Sequence, residues 1–253
     1  MAMADLFSPI FDPLLELGPL WTLLIISFLL SVLITLIYKW MTNQDEMKQL
    51  KAEIKESQKK MKQLRNEPKK MMEAQKKAME TNSRYMMKSM RPTLVTFLPI
   101  IIIFGWLGAN LAFLPIEPSD QFSIEMTIDE GPETATLSNA DSLTLISDRE
   151  QKVNDEKVKW DLRAKEKGIY NIEIDYGGKK YYQKIKVSDK LGDYENPEQR
   201  ISDGKVKMIE TIMKPIKPFG DFTLFGWKPG WLGAYIIFSM IFSLSLRKLM
   251  KLS

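Results

Sequence analysis

The chain alternates between long apolar runs and segments dense in charge. Residues 17–38, 92–114 and 229–247 contain no acidic residue. Each run is about 20 residues long, which at 1.5 Å rise per residue covers the roughly 30 Å hydrocarbon layer of a bilayer. The pattern predicts three transmembrane helices. Between the second and third runs the period changes to two, and FSIEMTI, SLTLIS, KVKWDLRA, IYNIEIDY and YYQKIKVS alternate apolar with polar positions. That alternation marks half-buried strands. Gly177-Gly178 separates the last two strands and predicts a tight hairpin turn with positive φ. With Trp160 and Tyr170 as candidate core aromatics, residues 115–190 are expected to form a small all-β, immunoglobulin-like sandwich. In the linker at 191–228, Val206, Ile209 and Met213 fall on one side of a helix, so an amphipathic helix lying on the membrane surface is expected there.

Residues 39–91 read differently. Met47, Leu50, Ile54, Met61 and Leu64 recur at three- and four-residue steps with Lys, Glu and Gln between them, the spacing of a coiled-coil seam. Pro68 cannot continue a helix interior, yet helix-forming composition resumes through Met90. Two helices folded into an antiparallel hairpin near residues 66–68 satisfy both observations.

Charge supplies an orientation. Residues 1–16 carry a net −3; residues 39–91 have 15 bases and 7 acids, a net +8; residues 115–228 carry −4, and the tail from 248, together with Arg247, carries +3. Short basic flanks stay in the cytoplasm, so the hairpin and the tail are expected inside. The amino terminus and the β-rich segment are then outside, in a multi-pass protein of the cell membrane. An acidic leader and the lack of a small-residue cleavage pattern make the first run a permanent anchor rather than a signal peptide.

Composition narrows the chemistry. The sequence has no His and no Cys, which removes the commonest general base, the softest metal ligands and any disulfide framework. It also lacks a phosphate-binding Gly-rich loop followed by Lys and Ser or Thr. Neither catalysis nor a cofactor or metal is expected.

The apolar runs are not uniformly apolar. Ser27, Ser31, Thr35 and Lys39 follow one another at four-residue steps in the first, and Tyr235, Ser239, Ser243 and Arg247 do so in the third. Residues four apart stack along one helix face, so each series forms a slanting polar row ending in a cation. Two facing rows would make a polar groove open to the cytoplasm; the competing reading is that the hydroxyls are interhelical glue, each worth roughly 0.6 kcal/mol. The second run has Pro99, expected to kink it, small residues Gly105, Gly108, Ala109 and Ala112, and one strongly polar side chain, Asn110. Of the sixteen methionines, nine lie in the hairpin region. Met47 and Met61 are expected to fill the seam, whereas Met86, Met87 and Met90 crowd the membrane junction, where flexible, polarisable side chains suit the capture of varied apolar segments. Lys59, Lys60, Lys62 and Arg65 are candidates for contact with ribosomal RNA.

The strings LWTLLIISFLLSVLITLIYKW, MMKSMRPTLVTFLPIIIIFGWLGAN and FGWKPGWLGAYIIFSMIFSLSLRKLM together resemble the YidC/Oxa/Alb superfamily of membrane-protein insertases, most closely its archaeal YidC-like branch and the insertase subunit of the endoplasmic-reticulum membrane complex. The resemblance implies a three-span core, an outside amino terminus, a cytoplasmic helical hairpin and a methionine-rich mouth. It makes Lys39 similar to the basic residue that relatives carry in the first span, and Asn110 similar to a polar residue that follows the Gly-Trp pair, here Gly105-Trp106. It covers about half the chain and not the β-rich segment. The implied function is an energy-independent insertase and chaperone, with nascent membrane proteins, the ribosome, membrane lipids and a small multi-span subunit as partners. An alternative from another class is a receptor or adhesion scaffold with an outer β-domain and an inner coiled coil; a third reading is a channel, for which one chain has few spans.

Overall fold

The computed structural model describes residues 8–250 and Leu252, apart from Arg65, 141–142 and 224–225. Its helices are α1 (Ser8–Leu15), α2 (Pro19–Met41), α3 (Gln44–Gln63), α4 (Pro68–Leu111) and α5 (Trp231–Leu249). Three of them, α2, α4 and α5, are long and apolar enough to cross a membrane. The short α1 is an element that the hydrophobic pattern did not announce.

α3 starts where its sequence says it should. Asn43 accepts the backbone N–H groups of Asp45 and Glu46, satisfying two donors that the first turn leaves free, and those two acids sit at the positive end of the helix while Lys60 and Lys62 sit at the negative end. Met47, Leu50 and Ser57 are buried and Ile54, Met61 and, just past the helix end, Leu64 are half-buried, at steps of three and four; Ser57 occupies the place the apolar spacing left open. The facing positions on α4 are Met71, Ala74, Ala78, Thr81 and Tyr85, at the same steps. An ion pair of 2.8 Å between Glu46, near the start of α3, and Lys88 fixes the antiparallel sense. Met47 and Met61 therefore lie in the seam.

The second arm does not stop at the membrane. α4 runs for 44 residues, through Pro92 and Pro99, so one helix is both hairpin arm and membrane span. The helix continues across the junction because a helix in lipid has no water to satisfy backbone groups freed by unwinding. Pro92 is buried, and the hydroxyl of Thr96 beside it donates to the Thr93 carbonyl.

α2 is the central helix of the bundle, packing against α5 on one side and α4 on another. Leu23, Ile26 and Leu30 of α2, Trp106, Leu107 and Leu111 of α4, and Ala234 and Tyr235 of α5 form its buried core. α1 closes the end away from the hairpin: Phe11 packs on Trp106 with ring centroids 5.2 Å apart, and the Trp106 indole N–H donates to Asp12 at 3.3 Å.

The β-rich segment forms two antiparallel sheets around one core. Strands β1 (Gln121–Ile128), β3 (Leu143–Leu145), β5 (Lys157–Ala164), β8 (Glu198–Arg200) and β9 (Val206–Ile212) make one sheet in the order β3-β5-β1-β9-β8; β2 (Thr134–Asn139), β4 (Glu150–Lys152), β6 (Gly168–Tyr176) and β7 (Lys179–Val187) make the other in the order β4-β2-β6-β7. Trp160 is fully buried between them and Tyr170 packs at the margin. Gly177 and Gly178 form the two-residue turn with φ of 57° and 77°, pairing Tyr176 with Lys179 across it.

Two expectations are corrected. The domain extends to Ile212, not 190, and Val206–Ile212 is a strand paired with β1 rather than a surface helix. A bulge explains the misleading spacing. Thr127 pairs with Met208 and Ile128 with Val206, leaving Lys207 as the extra residue, so that Val206 and Ile209, three apart, both point into the core. The β-branched residues Val206, Ile209, Thr211 and Ile212 favour that strand.

The β-domain is seated on the bundle by its two connections. Leu114 N–H donates to the Lys214 carbonyl at 2.8 Å and Ile216 N–H to the Ala112 carbonyl at 3.1 Å, so the chain leaving α4 and the chain returning to α5 pair with each other. The Phe113 ring meets Tyr194 and the Ile216 side chain is buried in the bundle core.

Candidate functional site

The two polar rows lie where α2 packs against α5. Ser27, Ser31 and Thr35 are buried to 4% exposure or less. The Thr35 hydroxyl donates to the Ser31 carbonyl at 2.6 Å, and the Ser27 hydroxyl has no hydrogen-bond partner among the described residues. A buried hydroxyl without a partner carries a desolvation cost of about 1–3 kcal/mol. Around this row the packing is aromatic, with Phe28 edge-on to Phe242 at 5.3 Å and Phe242 near Phe238. On α5, Tyr235 is buried edge-on against Phe104 at 4.7 Å, Ser239 donates to the Ile236 carbonyl, and Ser243 is half-buried. In this conformation the α2 row faces helix packing rather than an open slot.

The cations that end the two rows part company. Arg247 lies over the Tyr38 ring, 5.4 Å from its centre, and so joins α5 to α2 at the hairpin end. Lys39 is exposed. Asn110 belongs to neither row: it donates to its own helix at the Trp106 carbonyl at 2.9 Å and abuts Gly192, which loops over from the β-domain.

Methionine gives the most continuous exposed feature. Met72, Met79, Met86 and Met90, followed by Leu94, Phe97 and Ile101, are separated by steps of 7, 7, 4, 4, 3 and 4, which keeps them on one side of the continuous α4. All seven are between 49% and 69% exposed. They lie opposite the seam with α3, because that seam uses Met71, Ala74, Ala78, Thr81 and Tyr85. Met87, also exposed, flanks the stripe. The spacing is readable in the sequence once α4 is known to run unbroken through residue 92, where the sequence reading divides hairpin from span.

Of the basic candidates, Lys59, Lys60 and Lys62 are exposed on α3, Lys60 being paired with Glu56 at 2.8 Å, and Arg65 lies outside the described residues. Lys48, Lys51, Lys55, Lys59 and Lys62 share one face of α3, bordered by Asp45, which pairs with Lys48 at 3.9 Å, and by Glu56, while Glu46 and Glu53 lie on another face. The contacts that sequence reasoning missed are Phe11 and Asp12 on Trp106; the string SPIFDPLL just before the first span was their only signal.

Among the described residues, no cluster of acidic side chains could hold a metal ion. No curated protein and no solved structure matches the chain. Residues 8–128, which hold α1, the helical hairpin and the first two spans, match the family profile described as integral membrane protein EMC3/TMCO1-like, so that this part of the chain is similar to that family of integral membrane proteins.

Proposed function

We propose that the protein is a membrane-protein insertase: it receives apolar segments of newly made proteins on the hairpin and releases them into the bilayer. The observation that carries this reading is the unbroken stripe from Met72 to Ile101, half of it in the charged hairpin arm and half in the apolar span of the same helix. Unbranched thioether side chains adapt to apolar partners of many shapes. The stripe leads such a partner from water to lipid without a gap, and burial of apolar area at about 25 cal/mol per Å² drives the transfer, so no nucleotide is required. The likeness of residues 8–128 to the EMC3/TMCO1-like family, within the wider YidC/Oxa/Alb insertase context, supports it.

In this reading the hairpin and tail are cytoplasmic, as the net +8 on residues 39–91 favours. The hydroxyl rows become the path for a client's polar flank when α2 and α5 separate; the unpartnered Ser27 hydroxyl is the side chain with most to gain from that opening. The lysine face of α3 supports contact with ribosomal RNA. The two-sheet domain, with Trp160 buried at its centre, serves as an immunoglobulin-like accessory module on the outer side.

The test is a photocrosslinking amino acid placed in turn at Met86, Met90 and Phe97 while ribosomes synthesise a single-span protein. Capture of the nascent chain at all three, and none from Met47 in the seam, is the expected result. Equal capture from the seam, or none from the stripe, would defeat the proposal.

A further inference from the structure

Between α2 and α4, on the side of α2 that α5 does not occupy, the bundle has a cavity of about 370 Å³ that is half open to its surroundings. Ile26, Leu30 and Leu33 of α2 and Leu98 and Ile102 of α4 line it, together with Phe11 of α1 at the end away from the hairpin. No lining residue is polar. A 150 Å³ apolar void takes up benzene, which scales to roughly a dozen carbons or more here.

The walls extend toward the hairpin in a matched way. On α4, Arg91, Val95, Leu98 and Ile102 follow at four, three and four residues and share a face. On α2, Leu29, Leu33, Leu36 and Trp40 do the same in the opposite direction. Both faces end at the membrane junction, in an exposed Arg91 that has no ion-pair partner among the described residues and in Trp40, 81% exposed. Eleven residues of helix separate Arg91 from Ile102, about 16 Å at the standard rise. That is about half the thickness of the hydrocarbon layer.

We infer that this cavity holds one hydrocarbon chain of a phosphate-headed lipid of the hairpin-side leaflet, with Arg91 on the phosphate, Trp40 at the headgroup level and Phe11 over the end of the chain. A guanidinium suits a phosphate because its fork of N–H groups matches the oxygens. The site lies apart from the methionine stripe and does not depend on the insertase reading.

The test uses the full chain in vesicles of phosphatidylglycerol, extracted in mild detergent and weighed intact by native mass spectrometry. One phospholipid per chain is expected to remain bound. Arg91→Gln should lower the retained fraction about fivefold, the worth of one basic side chain near a phosphate surface. Ile102→Trp, which fills the cavity, should lower it comparably, while Arg84→Gln on the distant hairpin leaves it unchanged. A wild-type chain without lipid, a variant pair that retains as much as wild type, or retention by Ile102→Trp alone would overturn the assignment, as would a bound mass that is a polypeptide.

Discussion

The guanidinium of Arg247 rests 5.4 Å from the centre of the Tyr38 ring, and so α5 is tied to α2 at the hairpin end of the bundle. Such a contact is worth about 0.5–2 kcal/mol depending on desolvation. It closes the interface in which Ser27, Ser31 and Thr35 are buried. Breaking it by Arg247→Gln should let α2 and α5 part more often. Because the chain has no cysteine, a Ser31→Cys variant reports this directly: labelling by a water-soluble maleimide is expected to be slow with Arg247 present and faster, by up to roughly tenfold, in the double variant.

Ser27 separates glue from groove. Its hydroxyl is buried and unpartnered, so Ser27→Ala removes a desolvated polar group and should leave thermal stability unchanged or raise it by about 1 kcal/mol. A loss of more than that in a melting experiment would show a hydrogen bond formed at this position. If stability holds while insertion of a client with a polar flank falls, the hydroxyl serves the client rather than the helices.

The methionines divide into two groups with opposite sensitivities. Met47 is buried in the α3–α4 seam, and Met47→Ala should destabilise the hairpin by about 2–5 kcal/mol, read from its helical circular dichroism on heating. Met86→Gln with Met90→Gln should leave that melt within about 0.5 kcal/mol, as exposed positions do. The same pair is expected to weaken client capture, and Met86→Leu to restore much of it.

Gly192 is the point where the β-domain meets the bundle. It has a φ of 80°, and a Cβ there would come within 2.9 Å of the Asn110 side-chain oxygen and 3.0 Å of Leu15. Gly192→Ala therefore combines backbone strain with a double clash at α1 and α4. We expect a destabilisation of about 1–3 kcal/mol. The measurement is the proteolytic susceptibility of residues 112–116 and 188–193, which should rise while the isolated β-sheet signal in circular dichroism is kept.

The β-domain carries an acid and an alkaline limit at one place. The backbone N–H of Val206, the Lys179 ammonium and the backbone N–H of Lys205 hold the Asp203 carboxyl well below its ordinary range. Burial, then the hydrogen bond to Asp203, pushes the Tyr181 phenol up to about 12. A carboxyl whose folded pKa is depressed contributes stability above its unfolded value, near 3.9, and loses it as pH falls toward the folded one. A phenol raised from about 10 contributes fully below pH 10 and loses its contribution as pH climbs toward 12. Melting temperature plotted against pH should thus fall below about pH 4 and again above about pH 10. Asp203→Asn should flatten the acid limb, and Tyr181→Phe the alkaline one.

Hydropathy and period alone marked the three spans, the hairpin and five of the strands, because each signal is local: a run long enough for lipid, a seam at steps of three and four, an alternation of two. The Gly177-Gly178 turn was legible for the same reason, since only backbone with positive φ closes a two-residue hairpin there. Three things waited on tertiary structure. A bulge at Lys207 made a strand look helical, and only its pairing with β1 resolved the ambiguity. The hairpin and the second span read as separate segments meeting at residue 91, but a lipid-embedded backbone has no better partner than its own helix, and the unbroken α4 is what assembles the methionine stripe. The hydroxyl rows were visible as rows; whether they face water or each other depends on how α2 and α5 pack, which no spacing along one helix encodes.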